Sequence, residues 1–345
     1  MTEGGWRARH GELLRILTGH EERLATHPAL AGHDEQADLA RWLTTVLHIA
    51  TQTNLWARPD RPRVVPITGP SLRWGGDNPD ATYGHVALDH AHTYRVRARV
   101  GSAVYSSLTV YGGPRDGHYS TRIVGTVRPT DLAPDAEGWR SFVLGPGADL
   151  ELDLDTEVGV TRDYYREVDG RVPTEWAIEV LDGPAGDDDL DAALLRTANW
   201  LDDQAAIVPV ELEGNVVQAP YPVPEHTFGW AAGDAAYAMG AFDLGDGERL
   251  VLRGRSPACA FWNVCLWNPL LHSFDSTDGT PTSRHDGEIE LDADGGWTIE
   301  LGTGPGSGPN QLSSQGRPKG LIWFRWFLPD ATPDPVTAEV VRRSS

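Results

Sequence analysis

The chain has 345 residues and a formal net charge of −21. This length exceeds what one hydrophobic core usually organises, so two domains are expected. The negative charge argues against nucleic acid or an anionic membrane as a partner, because both would be repelled over a Debye length of about 8 Å. The 13 tryptophans suit a ligand cleft as well as a core. The expected partner is a small-molecule ligand, and the oligomeric state is left open.

Residues 1–60 predict an N-terminal helical segment. Apolar residues recur at helical spacing on both sides of the break HPALAGHDE. They are Leu13, Leu14, Leu17 and Leu24 before it, and Leu39, Trp42, Leu43, Val46, Leu47 and Ile49 after it.

The first residues lack the apolar core of a signal peptide, and no stretch approaches the roughly 18 apolar residues of a membrane span. Cys259 and Cys265 are placed on one face of one strand, too far apart for an easy disulfide, so a reduced, cytoplasmic protein is expected.

Residues 61–183 predict a first antiparallel β-sandwich. Short runs such as TYRVRARV and SSLTVY alternate in polarity, and Gly, Asp and Pro separate them at strand-and-turn intervals. Residues 184–215 predict a connecting helix, because GDDDLDAALLRTANWLDDQAAI has an amphipathic pattern and an acidic first turn. Residues 216–345 return to the β pattern and predict a second sandwich.

Several stretches of the two β regions can be matched in the same order. WGGDNPDATYGHVAL aligns with WAAGDAAYAMGAFDL, EGWRSFVLGP with GGWTIELGTGP, and TEWAIEVL with PVTAEVV. The order predicts a fold that is mainly β with accessory α-helices. Its core is expected to be two tandem jelly-roll-like antiparallel β-sandwiches that arose by internal duplication.

Four stretches resemble a known bacterial family. They are ARPDRPRVVP with LRWGGDNPDATY, YRVRARVG, FWNVCLWNPLLHSFD, and PNQLSSQGRPKGLIWFRWFLP. Together they are similar to proteins that carry domain of unknown function 1214, often found with domain of unknown function 1254. The resemblance covers nearly everything after Trp42 and implies a pair of jelly-roll-like sandwiches with accessory helices, but no agreed reaction. Where relatives tend to have Pro-Asn-Trp-Leu, this chain has PNQL, so Gln311 alters any pocket that the tryptophan lined.

The stretch WGGDNPDATY carries the main catalytic prediction. Asn78 and Pro79 favour a turn, and the flanking glycines allow positive φ or close backbone approach. The stretch is therefore either a structural turn or a site in which Asp77 and Asp80 act as base and acid or bind a hard cation. Tyr83 is the third predicted catalytic residue. The second copy, AAGDAAYAM, lacks Asn-Pro-Asp, which favours the functional interpretation.

Other residues are predicted to bind the ligand. In the strand IWFRWF, Trp323, Arg325 and Phe327 share one face. An arginine among aromatic residues needs either an acidic partner or an anionic ligand, whereas Asn310 lies in a glycine-rich loop from which it can reach a ligand. The predicted ligand-binding set is Arg73, Trp74, Asn78, Trp267, Asn268, Asn310 and Arg325.

An acidic run at 187–191, DDDLD, offers a weak metal alternative. Asp187 and Asp191 are four residues apart and share a helix face, so with Asp188 they could hold Mg²⁺, as helical prenyl diphosphate enzymes do. A helix start also favours acidic residues through the helix dipole. The leading expectation is no metal and no cofactor.

Three functions remain open from the sequence. The first is a cofactor-independent enzyme that uses carboxylate acid and base chemistry on a small apolar or carbohydrate-like molecule in a Trp-lined cleft. The second is a non-catalytic ligand-binding or assembly module in which the same residues are core and turn caps. The third is magnesium-dependent chemistry on a prenyl diphosphate.

Overall fold

The computed structural model describes residues 5–167, 170–186, 189–222, 229–274, 280–306 and 308–342. The helices of this part are α1 (Gly5–Ala25), α2 (His33–Ala50) and α3 (Leu190–Ala206), with a π-helical turn (Thr51–Leu55) that continues α2 and short 3-10 turns at Pro28–Leu30 and Pro129–Asp131. None of the described helices is long and apolar enough to cross a membrane.

The helices form where the apolar spacing predicts them. In α2 the residues Leu39, Trp42, Val46 and Ile49 are buried, which follows the one-sided period of an amphipathic helix. The start of α3 is capped by Asp189, whose side chain accepts hydrogen bonds from the backbone N–H groups of the next turn. Helix capping therefore accounts for Asp189, one of the described residues of the acidic run 187–191.

The chain forms two compact units, and the first comprises residues 1–72, 81–208 and 224–233. Its described strands are β1 (Val65–Pro66), β2 (Ala81–Ala87), β3 (Thr93–Arg99), β4 (Tyr105–Gly112), β5 (Arg122–Val127), β6 (Arg140–Leu144), β7 (Thr156–Tyr164) and β8 (Glu175–Asp182). They form two antiparallel sheets, in the orders β1-β2-β7-β4-β5 and β6-β3-β8. Side chains of both sheets, such as Val86, Val96, Leu108 and Phe142, share one hydrophobic core.

The second unit comprises residues 73–80, 209–223 and 234–345. Its described strands are β9 (Val216–Val217), β10 (Tyr221–Pro222), β11 (Ala235–Asp243), β12 (Glu248–Arg255), β13 (Phe261–Trp267), β14 (Ser283–His285), β15 (Gly296–Gly302), β16 (Gln311–Ser313), β17 (Lys319–Phe327) and β18 (Thr337–Arg342). The sheets have the orders β10-β11-β17-β13-β14 and β16-β15-β12-β18. Their shared core contains a stack of aromatic rings, Trp262 on Trp297 and Phe324 on Trp326.

The prediction of a mainly β fold with accessory helices and antiparallel sheets is confirmed. The five-stranded sheets of the two units have corresponding strand orders, whereas the jelly-roll topology and the duplication stay predictions. The unit boundaries differ from the predicted ones, because residues 73–80 belong to the second unit and α3 belongs to the first. Both cysteines are free, but Cys259 precedes β13 rather than lying on it.

Candidate functional site

The predicted loop WGGDNPDATY divides between the two units, with residues 73–80 in the second and Tyr83 in the first. Trp74 is buried. Gly75 and Gly76 have φ values of 53° and 90°, which glycine adopts without steric cost. A Cβ on Gly76 would lie 3.1 Å from the ring of Trp267, so close approach requires glycine here as well.

The buried carboxylate of Asp77 fixes the turn that follows β13. Its two oxygens accept hydrogen bonds from the backbone N–H of Ser273 at 2.8 Å and from the Ser273 hydroxyl at 2.5 Å. The backbone carbonyl of Asp77 accepts from the indole N–H of Trp267 at 3.0 Å. Burial raises the pKa of Asp77, while the bonds from Ser273 act in the opposite direction. Both carboxylate oxygens are thus engaged by protein donors.

Asp80 and Asn78 form a second buried connection to β13. The side-chain amide of Asn263 donates to Asp80 Oδ2 at 2.7 Å and to Asn78 Oδ1 at 2.8 Å. Asn78 Oδ1 also accepts from the backbone N–H of Asp80 at 2.9 Å. Burial raises the pKa of Asp80. These contacts hold residues 73–80 to β13, and the catalytic roles predicted for Asp77 and Asp80 stay predictions.

Arg325 joins the same network from β17. Its guanidinium donates to the backbone carbonyl of Gly76 at 2.7 Å and to Cys265 Sγ at 3.1 Å. It also lies 4.8 Å from the ring centroid of Trp267, which stacks on Trp323 at 4.7 Å. Burial raises the pKa of the Cys265 thiol to about 12, so the thiol is protonated. The guanidinium therefore has carbonyl, sulfur and aromatic contacts inside the second unit.

The remaining predicted residues lie in other local contacts. Arg73 donates to the Ser273 carbonyl at 3.3 Å, and the side chain of Asn268 caps the turn after β13 through the backbone N–H groups of Leu270 and His272. Two residues stand outside this network. The half-buried Asn310 exchanges two hydrogen bonds with the backbone of Glu290, and the Tyr83 hydroxyl pairs with that of Tyr164 at 2.6 Å.

The weak metal alternative is only partly covered. Asp187 and Asp188 lie outside the described residues. Asp191 is in the first turn of α3, with an oxygen 3.8 Å from the guanidinium of Arg9. In the part of the chain that the structure describes, no group of three His, Cys, Asp or Glu residues is placed to hold a metal ion.

A cavity of about 370 Å³ lies within the first unit. Its walls come from the π-helical turn after α2, from β2, from residues 115–120, from the start of β7, from α3 and from Trp230. Small-molecule sites usually have volumes of roughly 300 to 1,000 Å³, and π-helical turns occur often at functional sites. The cavity is therefore a candidate binding site.

Glu157, at the start of β7, is one of the carboxyl groups that line this cavity. The Ser120 hydroxyl donates to Glu157 Oε1 at 2.6 Å, and the indole N–H of Trp230 donates to Ser120 Oγ at 3.2 Å. The backbone N–H of Arg115 also bonds to the carboxyl. Burial raises the pKa of Glu157 to about 7 despite these donors. At neutral pH the group therefore populates both its acid and its base form.

His85 and two tryptophans form the aromatic part of the wall. His85 is 4% exposed, and burial lowers its pKa to about 3, so the ring is neutral at physiological pH. Its Nδ1 is buried without a hydrogen-bond partner among the described residues. The ring of Trp230 lies 5.2 Å from that of His85 and 5.8 Å from that of Trp200. This side of the cavity can pack against an apolar or ring-shaped molecule.

Arg196 supplies a cation from α3. Residues 189, 193, 196 and 200 all line the cavity, as the spacing of one helix face requires. Burial lowers the pKa of Arg196, and the nearby charge of Arg115 adds to the effect, while Asp189 opposes it. Within the described ranges, its guanidinium makes neither a hydrogen bond nor an ion pair.

The catalytic and ligand-binding residues predicted from the sequence are not among those that line this cavity. Glu157 directly precedes the apolar run VGV of β7, and a carboxyl group next to an apolar run in a central strand is a signal that could have pointed to it. The other residues carry no motif, because His85, Ser120, Arg196 and Trp230 are far apart in the chain. Only the fold brings them together.

Comparison with known proteins supports the fold and not a function. No family model and no curated protein matches the chain, so the resemblance to domain of unknown function 1214 stays a prediction. The crystal structure of an uncharacterised protein from Burkholderia cenocepacia is similar over 97% of this chain and 96% of its own, with 22% identity and a TM-score of 0.85. A Vibrio parahaemolyticus protein is similar over 87% of this chain and 98% of its own, with 14% identity and a TM-score of 0.49.

Proposed function

We propose that the protein is an enzyme that acts on a small molecule bound in the cavity of the first unit. Glu157 is its general acid and base, and the tryptophan wall receives an apolar or carbohydrate-like face of the substrate. The observation that supports this most strongly is a carboxyl group with a pKa of about 7 that lines a cavity large enough for a ligand. A general acid or base is most effective when its pKa lies near the working pH.

The hydrogen-bond chain through Ser120 explains how the carboxyl group is positioned. Trp230 orients the Ser120 hydroxyl, and this hydroxyl fixes Glu157 Oε1. The fixed orientation leaves little motion to restrict when substrate binds, which favours proton transfer along one direction. The neutral His85 ring adds no charge to the aromatic part of the wall.

Conversion of a metabolite tests the proposal. Wild-type protein, Glu157→Gln and the control Glu151→Gln are each incubated with a mixture of small metabolites, and mass spectrometry follows the loss of individual compounds. Glu151 is an exposed carboxylate of the same unit. Wild type and the control are expected to consume a compound that Glu157→Gln leaves intact, with a rate that changes around pH 7. Equal consumption by all three proteins would contradict the proposal.

A non-catalytic binding module is the alternative that the same cavity supports. In that case a compound would bind to wild type and to Glu157→Gln without being converted by either. The assay separates the two functions, because binding without conversion by wild type favours the module.

A further inference from the structure

We propose that the ligand of the first-unit cavity carries a carboxylate group, which Arg196 binds through its guanidinium. This inference deepens the proposed function and rests on it for the location of the site. Two observations carry it: the Arg196 guanidinium in the cavity wall makes no hydrogen bond or ion pair in the described part of the chain, and the arginines Arg58 and Arg115 of the same wall are paired with protein carboxylates.

A partly buried arginine without a partner is unfavourable for the empty protein. Removing a guanidinium from water costs free energy that a hydrogen-bonded anion would restore. Two other arginines line the cavity. Arg115 pairs with Asp89, and Arg58 pairs with Asp60 through two hydrogen bonds. Arg196 is thus the cation of this wall that is left for a ligand.

The backbone around Arg196 is closely packed. Gly117 has a φ of 96°, and a Cβ there would lie 2.2 Å from the backbone carbonyl oxygen of Arg196. The loop of residues 115–120 therefore packs directly on α3 at this position. A tightly held backbone fixes where the guanidinium can reach, which favours recognition of one anionic group over a diffuse attraction.

The charges near the cavity favour a carboxylate over a phosphate dianion. The guanidinium fork matches the two oxygens of either group. Asp189 lies close enough to Arg196 for its negative charge to raise the pKa of the guanidinium. Glu157 lines the same cavity, and the whole chain carries a net charge of −21. Each of these negative charges repels a dianion about twice as strongly as a monoanion at the same distance. An aromatic carboxylate also fits the wall of Trp200 and Trp230.

Calorimetric titration with three matched probes tests the inference. Benzoate, its neutral analogue benzamide, and phenyl phosphate are titrated into wild type, Arg196→Met, Arg196→Lys and the control Arg95→Met. Arg95 is an exposed arginine of the same unit, paired with Glu179. Wild type and the control are expected to bind benzoate more tightly than benzamide or phenyl phosphate. Arg196→Met is expected to lose roughly tenfold or more in benzoate affinity, as for loss of a charge-assisted hydrogen bond, and Arg196→Lys to lie between.

Circular dichroism and thermal unfolding keep the test independent of folding. Because Arg196 makes no hydrogen bond or ion pair among the described residues and is partly buried, Arg196→Met is expected to melt at the same temperature as wild type or higher. Benzamide binding as tightly as benzoate, unchanged benzoate affinity in Arg196→Met, tighter binding of phenyl phosphate, or no benzoate binding at millimolar concentration would each overturn the inference. Glu157→Gln is expected to bind benzoate at least as tightly as wild type, so a failure of the acid and base role leaves the anion result intact.

Discussion

Replacing Glu157 by glutamine is expected to stabilise the protein at neutral and alkaline pH. Burial raises the pKa of Glu157 from 4.5 to about 7, so the folded protein holds this proton more tightly than the unfolded chain does. Each unit of pKa shift corresponds to about 1.4 kcal/mol, so ionised Glu157 lowers the free energy of unfolding by about 3 kcal/mol. Glutamine has the same size and cannot ionise, and its oxygen can still accept from Ser120.

The pH dependence follows from the sign of the shift. Below pH 4.5 the carboxyl group is protonated in both states and contributes nothing. As the pH rises from 4.5 to about 7, the unfolded chain ionises first, and the wild type progressively loses stability relative to the variant. The advantage of Glu157→Gln is therefore small at pH 5 and complete above pH 7.

Urea-induced unfolding of wild type, Glu157→Gln and the control Glu151→Gln at pH 5 and pH 8 measures this difference. The difference in unfolding free energy between Glu157→Gln and wild type is expected to grow by about 2.5 kcal/mol between the two pH values, while the control stays within about 0.5 kcal/mol of wild type at both. A difference that is the same at both pH values would refute the reasoning, because it would show that Glu157 titrates normally.

Three further predictions concern the cavity around Glu157 and the hydrogen-bond network of Asp77. Ser120→Ala removes a donor that stabilises the charged carboxylate, so the pKa of Glu157 should rise further, as measured by its NMR titration. Gly117→Ala introduces a Cβ at positive φ against the backbone of α3 and should lower the unfolding free energy by more than about 1 kcal/mol and weaken benzoate binding. Asp77→Ala leaves the amide and hydroxyl of Ser273 buried without their acceptors, which should cost about 3 kcal/mol in urea unfolding and leave benzoate affinity unchanged.

Features that depend on short sequence intervals were predictable. The apolar period placed α1, α2 and α3, and the period of two in IWFRWF placed Arg325 with Trp323 on one face of β17. Both patterns arise from local backbone geometry. The positive φ of Gly75 and Gly76 follows from turn chemistry in the same way.

The candidate site was not predictable by the same means. The loop WGGDNPDATY has the composition of a site, but a buried structural network uses the same glycines, aspartates and asparagine. Sequence alone does not distinguish an oxygen that faces a ligand from one that accepts from Ser273. The cavity around Glu157 depends on contacts among Ser120, Arg196 and Trp230, whose long separations in the chain only tertiary packing sets.

Glu157 is proposed to hold and release a proton near neutral pH inside the cavity. The most direct measurement is a carbon-13 NMR titration of the glutamate side-chain carboxyl carbons, with the Glu157 signal assigned by its absence from Glu157→Gln. A midpoint near pH 7 is predicted. A midpoint below about pH 5, the ordinary range of a glutamate in a folded protein, would contradict the claim.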